Sequence, residues 1–422
     1  MSEAESAAAI PVFVQTAFPE QPELDRWQQI TEAEARQVYE MTLRNELSGG
    51  TPVVRQFEAL WREWTGLRYA ITTMNGTAAL YSAYFGAGVG PGDEVICPTY
   101  TWICTIAPAL LLGARPVFAE SDPATLQLDP QDVRCRITPR TAAIVAVHLW
   151  GNVCDMDGLM AVSRETGVPV IEDCSHAHGA THRGRMVGAI GQVGAWSLQG
   201  SKAVSAGEGG VLATDAPEIF ERACLVGQVN RMGGIDLVTP RYAALQPLGL
   251  GMKFRAHPLG IGIASIQLER LAALNARRQA YVEEVESRIG GLPGLRPVGV
   301  YEGAARGGYY AFPVIHLPEE QGGRPTDSFI ELLREEGLRA APSPYGLLHQ
   351  LEIFRRGFDL FGRGRGPLGD GYAGYRPGDF PVTEDLHRRL VFLPMLSDPV
   401  PGAVDAVVDR IERAARRAVR PR

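Results

Sequence analysis

The chain lacks a long hydrophobic run, a basic leader, paired cysteines and any surplus of positive charge. No apolar stretch in its 422 residues approaches the roughly 20 needed to cross a bilayer, so no membrane-spanning helix is expected. The first residues, Met1-Ser-Glu-Ala-Glu-Ser-Ala-Ala-Ala-Ile-Pro11, carry acids where a secretory signal would carry lysine or arginine, and the expected compartment is the cytoplasm. A formal net charge of −7 and a pI near 5.7 give no electrostatic reason to bind nucleic acid, although a local cationic pocket can still hold an anion. The six cysteines, Cys97, Cys104, Cys135, Cys154, Cys174 and Cys224, contain no Cys-x-x-Cys pair, so reduced thiols are expected and Cys174 reads as small packing. No metal is expected either: His176-Ala-His178 brings no third ligand, and His148 and His178 read as structural histidines.

What is present suits an α/β enzyme. With 45% hydrophobic content the chain is long enough for a sizeable core and at least two lobes. Strand-like segments at 94–97, 115–119, 142–148 and 168–172 alternate with helix-like segments at 81–87, 106–112 and 157–166, the pattern of a mainly parallel sheet with crossover helices. The expected division is an N-terminal extension at 1–26, a large domain at 27–265, and a bridging helix with a smaller α+β domain at 266–422. The bridge is predicted over 266–283 from Leu268, Leu271 and Leu274, a strand over 309–315, a closing amphipathic helix over 404–419, and a Gly/Arg-rich loop over 355–379.

Lys202 is the residue around which chemistry can be built. It stands in Ser197-Leu-Gln-Gly-Ser-Lys202-Ala-Val-Ser-Ala-Gly207-Glu-Gly-Gly210, among small residues that suit a solvated helix face poorly and leave room for a flat ligand. An ε-amino group attacks a carbonyl only when unprotonated, so such a lysine needs a desolvated pocket or a nearby positive charge. Pyridoxal phosphate, the usual electron sink for such lysines, also needs a carboxylate against its ring nitrogen. Asp173 is the candidate. It ends the run Val168-Pro-Val-Ile-Glu-Asp173, which reads as a buried parallel strand, and ligands of open α/β sheets gather at carboxyl ends of strands. Upstream, Ile71-Thr-Thr-Met-Asn75-Gly76-Thr77 passes into an alanine-rich helical stretch, a helix start able to bind phosphate, and the Ser197 hydroxyl can add to that site. Taken singly these are ordinary turn and surface residues. Phosphate site, ring-nitrogen acid and lysine in that order are far more specific. Trp102, in Pro98-Thr-Tyr-Thr-Trp102 after a buried-looking strand, offers either a π-face for a pyridinium or a core indole.

The segments Asn75-Gly-Thr-Ala-Ala-Leu80, Pro98-Thr-Tyr-Thr-Trp102, Val147-His-Leu-Trp-Gly151, Glu172-Asp-Cys-Ser-His176-Ala-His-Gly179 and 197–210 resemble the DegT/DnrJ/EryC1/StrS family of pyridoxal-phosphate aminotransferases. The resemblance runs from about Trp27 to the C-terminal helix and implies a fold-type I transferase: a large, mainly parallel α/β domain and a smaller α+β one. It implies a Schiff base on Lys202, a salt bridge from Asp173 to the pyridine nitrogen, His176 near the cofactor phenolate oxygen, and Trp102 stacked on the ring. It also implies a homodimer with shared active sites. Many relatives send an asparagine from a Gly-x-Asn-x-Arg loop to the partner's cofactor phosphate. Here Gly251-Met-Lys253-Phe-Arg255 puts Lys253 in the asparagine place. Tyr309, Tyr310, Tyr345 and His349 stand where the smaller lobe of the family approaches substrate.

The implied reaction is a ping-pong transfer of an amino group from glutamine or glutamate to a keto cyclitol or keto sugar of antibiotic or other secondary-metabolite biosynthesis. The 253–258 segment and the Trp102 loop look more like aminotransferases of inosose-type cyclitols, with nucleotide keto sugars as the alternative substrate. A dehydratase of this fold would carry histidine in place of Lys202, and a cofactor-sensing regulator would need a DNA-binding module not visible in the short N-terminal segment.

Overall fold

The computed structural model describes residues 21–235, 237–246 and 248–419. Its centre is a sheet of seven strands, ordered Tyr69–Thr73, Gly210–Thr214, Val193–Ser197, Val170–Asp173, Thr141–Val147, Glu94–Pro98 and Arg115–Ala119. Gly210–Thr214 runs antiparallel to both neighbours and the remaining pairings are parallel. Helices cover both faces, so the inner strands are apolar throughout rather than alternating. Thr141–Val147 shows this: Ile144 and Ala146 pack into one core, Val145 and Val147 into the other.

Six strands therefore point the same way. Their carboxyl ends, at Thr73, Pro98, Ala119, Val147, Asp173 and Ser197, lie along one edge of the sheet. The four strands expected from the sequence are present with small shifts of their ends, as are the helices Ala107–Leu111 and Met156–Thr166. The helix expected at 81–87 begins earlier and spans Gly76–Gly86, because Asn75 caps it and supplies its start. Val193–Ser197 and Gly210–Thr214 are two further strands, not among those expected, and pair with each other antiparallel.

The long helix spans Pro258–Ile289, beginning eight residues before the predicted start at 266, with Pro258 in its first turn and the His257 ring accepting the Leu259 N–H at 3.3 Å. A second layer forms on its C-terminal half from the antiparallel strands Leu295–Pro297, Phe312–His316 and Leu390–Leu393 with the helices Thr326–Glu335 and Ala403–Val419. The strand expected at 309–315 begins at Phe312, since Tyr309 sits at φ +44, where a ladder cannot start. Residues 1–20 of the expected extension lie outside the described residues. Asp25 accepts N–H bonds from Ser397 at 3.0 Å and Asp398 at 2.7 Å, so the chain just beyond them is pinned to the second layer.

Arg278 joins the layers. This buried side chain of the long helix donates to the Gly308 carbonyl at 2.6 Å and the Ser397 hydroxyl at 2.8 Å. Burial lowers its pKa to about 10, with the Asp25 charge opposing, so it stays charged at neutral pH. Arg278→Met should leave the Gly308 carbonyl without this donor and destabilise the protein by about 2–4 kcal/mol. Urea unfolding checks this; an unchanged midpoint contradicts the role.

Candidate active site

A cavity of about 400 Å³ opens at the carboxyl edge of the sheet. One end is built by the helix Gly76–Gly86. Asn75 takes the extended conformation that opens a helix, and its side chain accepts the Ala78 N–H at 2.8 Å. The first two helical N–H groups, those of Gly76 and Thr77, are left to the cavity that these residues line. Ser197, at the end of its strand, closes this side; a Cβ at Gly76 would stand 2.7 Å from the Ser197 Cβ, so only glycine permits the approach. Helix-start amides and a hydroxyl make an anion cradle.

Asp173 lies deeper, at the end of its strand and 4% exposed. Thr105 donates its hydroxyl to one carboxylate oxygen at 2.9 Å, and the Ser175 N–H bonds the other at 3.1 Å. Thr101 lies 3.1 Å from the Thr105 hydroxyl, which continues the chain of hydroxyls. The carboxylate is thereby held in one orientation with lone pairs left for a ligand.

Lys202 projects into the same cavity, its Nζ 3.8 Å from the centroid of Tyr310. Part of the residue is reached from the mouth, yet the protein packs densely around the amine. Desolvation is the main cause that lowers its pKa to about 7, against the opposing charge of Asp173. The amine is thus partly unprotonated near neutrality, the state a nucleophile requires.

An aromatic wall faces it. His176 stacks on Tyr310 at 3.9 Å and 11°, and on Trp150 at 5.2 Å and 23°. Burial, then the nearby charge of Lys202, holds His176 well below the usual histidine range, so it is neutral. Its Nδ1 accepts the Trp150 N–H at 3.3 Å, which assigns the proton to Nε2, 3.4 Å from the Tyr345 hydroxyl. Trp102 also lines the cavity and packs against Tyr345 at 5.2 Å.

Residues 28–412 match the DegT/DnrJ/EryC1/StrS aminotransferase family. The chain belongs to that family. It is 34% identical to the L-glutamine:2-deoxy-scyllo-inosose aminotransferase of Streptoalloteichus tenebrarius over 344 residues, 80% of each chain. Among solved structures, 3-amino-5-hydroxybenzoic acid synthase is similar at a TM-score of 0.77 and 28% identity, covering 94% of this chain and 99% of that one. DesI in the presence of its TDP-sugar product is similar at 0.72 and 26%, covering 94% and 95%. The protein is accordingly a pyridoxal-phosphate-dependent aminotransferase of the sugar and cyclitol group, with fold type I.

The cavity of this aminotransferase fits the cofactor: an anion cradle that a Cβ at Gly76 would fill, a held carboxylate and a desolvated amine share one space. Of the residues expected there, Asn75, Gly76, Thr77, Trp102, Asp173, His176, Ser197, Lys202, Tyr310 and Tyr345 line it. Three do not. Tyr309 turns away into the core of the second layer, because its positive φ points successive side chains to different sides. His349 is buried behind the Trp102 loop, 2.6 Å from the Thr99 hydroxyl and 3.0 Å from Glu384, where it supports the loop from outside the cavity. Lys253, expected at a partner's site rather than at this one, is exposed next to Phe254, whose carbonyl accepts the Met74 N–H at 2.5 Å. His148 is structural as expected: it lies 3.0 Å from Glu172 and accepts the Cys154 N–H at 3.2 Å. Glu172 also accepts N–H groups of Gly188, Ile190 and Gly191, so both partners of the buried His148–Glu172 pair are engaged by protein groups.

Sequence reasoning missed Thr105 and Trp150. The i, i+4 spacing of Thr101 and Thr105 was the available signal for the first. Trp150 stood within the Val147-His-Leu-Trp-Gly151 segment, but its place in the wall depends on φ +62, a left-handed conformation rare for an aromatic residue.

A depressed lysine carries a sign. Protonated Lys202 is penalised in the fold; the penalty is full below about 7 and gone above the ordinary lysine value of 10.5, so cofactor-free protein gains stability as pH rises between them. Lys202→Met should stabilise the cofactor-free protein at about pH 6.5, by on the order of 1 kcal/mol after discounting for solvent at the mouth, and little at about pH 10, with the melting temperature as the readout. Equal shifts at both pH values would contradict the desolvated amine.

Proposed function

We propose that this enzyme moves an amino group from glutamine or glutamate to a keto cyclitol in secondary-metabolite biosynthesis. The observation that carries the reading is the meeting of Lys202, Asp173 and the Asn75-Gly76-Thr77 cradle in one cavity. Asn75, Gly76, Thr77 and Ser197 would hold the cofactor phosphate, Trp102 would offer its face to the ring, and Asp173 would keep the ring nitrogen protonated. Pyridoxal phosphate supplies the electron sink for charge at the carbon that exchanges its amine. Lys202 would hold the cofactor aldehyde. Its amine, when free, would take the proton from the donor Cα and deliver one to the cofactor C4′, and would move protons in the opposite sense for the keto substrate. Neutral His176 adds a hydrogen-bonding edge without a competing charge.

The charge of the lining favours a cyclitol. Among the described residues lining the cavity, Asp173 and Glu208 are acidic, and Lys202 is the one lysine or arginine. A nucleotide keto sugar brings a diphosphate that this lining leaves unmatched. The 34% identical relative named for 2-deoxy-scyllo-inosose supports the same choice.

The proposed unit is a homodimer with shared sites. Segments 43–50 and 245–255 meet where Gly49 lies against Arg255, and they expose Leu43, Leu47, Leu248, Leu250 and Met252 beside Lys253. Lys253 then neutralises the partner's cofactor phosphate.

Lys202→Ala should abolish turnover and covalent cofactor attachment; a variant that still turns over rejects the assignment. With the pyridoxamine form, a keto cyclitol should be aminated at least about 100-fold more efficiently than a nucleotide keto sugar, a gap of about 3 kcal/mol, and the reverse order rejects the cyclitol. Mixing inactive Lys202→Ala subunits with weakened Lys253→Ala subunits should restore one intact site per mixed dimer. Activity no greater than that of the Lys253→Ala protein alone would show that Lys253 serves no neighbouring site.

A further inference from the structure

We propose that the face of Tyr310 is the station on which the Lys202 side-chain nitrogen rests whenever it is released from the cofactor. The inference rests on the reading of Lys202 as the lysine that holds the cofactor. Its ground is geometric. The nitrogen lies 3.8 Å from the ring centroid, and the His176 ring lies 3.9 Å from the same centroid and nearly parallel to it. Both cannot occupy one face, so Tyr310 is sandwiched between them. The electron-rich face attracts an ammonium, and a neutral imidazole behind it offers no opposing charge.

The ring is also fixed. Ser201, the residue before the lysine, lies 3.0 Å from the Tyr310 hydroxyl, so ring and lysine loop are joined side by side. The backbone leading to Tyr310 is held by Gly308, at φ +67 and so close to the His176 carbonyl that a Cβ would stand 2.6 Å from it. Arg278 bonds the Gly308 carbonyl and Asn275 accepts its N–H at 3.0 Å. A lysine displaced by a substrate has four rotatable bonds and many places to go. A fixed aromatic face beside its own loop keeps the released base within the cavity and favours its proton-carrying form between removal and delivery. Tyr310 is a positioning residue in this scheme. The other charged or titratable groups near the amine are Asp173, Cys104, His176, His178 and, at the cavity rim, Glu208.

The test uses the full chain stripped of cofactor, labelled with acetic anhydride over a pH series and read by mass spectrometry at Lys202. Lys253, the only other lysine, is the exposed internal reference. Tyr310→Phe is compared with the same variant carrying one, two or three ring fluorines, which weaken the face at nearly constant shape. The expected result is little change for Tyr310→Phe, then a stepwise fall of the Lys202 midpoint by about half a pH unit in all. A flat series overturns the proposal. So does a fall complete at Tyr310→Phe, because the hydroxyl and not the face would then matter. Borohydride trapping with pyridoxal phosphate runs in parallel. An adduct on Lys202 with a flat series overturns the station alone, whereas an adduct elsewhere overturns the functional reading beneath it.

Discussion

Six sheet strands sharing one direction are the constraint on which everything else depends. Each ends on the same edge, so loops distant in sequence are delivered to one place: the turn at Asn75 after Tyr69–Thr73, the Trp102 loop after Glu94–Pro98, Asp173 itself, and the Lys202 loop after Val193–Ser197. Parallel strands require crossovers, the crossovers bury both faces of the sheet, and burial makes the strand interiors apolar. The polar groups that carry chemistry are left to the strand ends. Gly210–Thr214, the antiparallel exception, lets the chain leave the Lys202 loop and return through the sheet beside Val193–Ser197, which holds both ends of that loop.

Within the site, two opposing demands are met by separation. A lysine amine must be poor in protons and a carboxylate must be rich in charge, although the two attract each other. Desolvation takes the first near neutrality, while the hydroxyl of Thr105 and the N–H of Ser175 hold the second in one orientation. The aromatic wall contributes to both ends. Its bulk excludes water from the amine, and Trp150 and Tyr310 flank His176 so that it stays neutral beside it. Within that wall Tyr310 follows a backbone anchored on Arg278, Gly308 and the long helix, whereas the Tyr345 carbonyl lies 2.7 Å from the His387 ring.

Much of this was legible in the residues. The parallel core showed as short apolar runs at regular intervals, and the cradle showed as Asn-Gly-Thr opening an alanine-rich helix. Lys202 showed through the smallness of its neighbours. Where the reading failed, the local signal and the three-dimensional cause lay far apart. Val193–Ser197 and Gly210–Thr214, short segments holding glycine, became strands through pairing with each other and with their neighbours in the sheet. Tyr309 and Tyr310 are indistinguishable as letters, yet one turns into the second layer and the other into the cavity because of a single positive φ. His349 looked like a ligand-facing histidine and is a buried support, satisfied by Thr99 and Glu384, two residues no spacing rule connects to it.

The sequence alone determined the chemistry on offer: an amine among small residues, an acid at a strand end and a helix start fit for phosphate, each set by side-chain identity and by backbone preferences reaching only a few residues. Tertiary structure alone decided the strength and aim of those groups. A proton affinity depends on how much water the fold removes, and a ring's orientation on contacts made hundreds of residues away. Neither quantity is carried by neighbours in the chain.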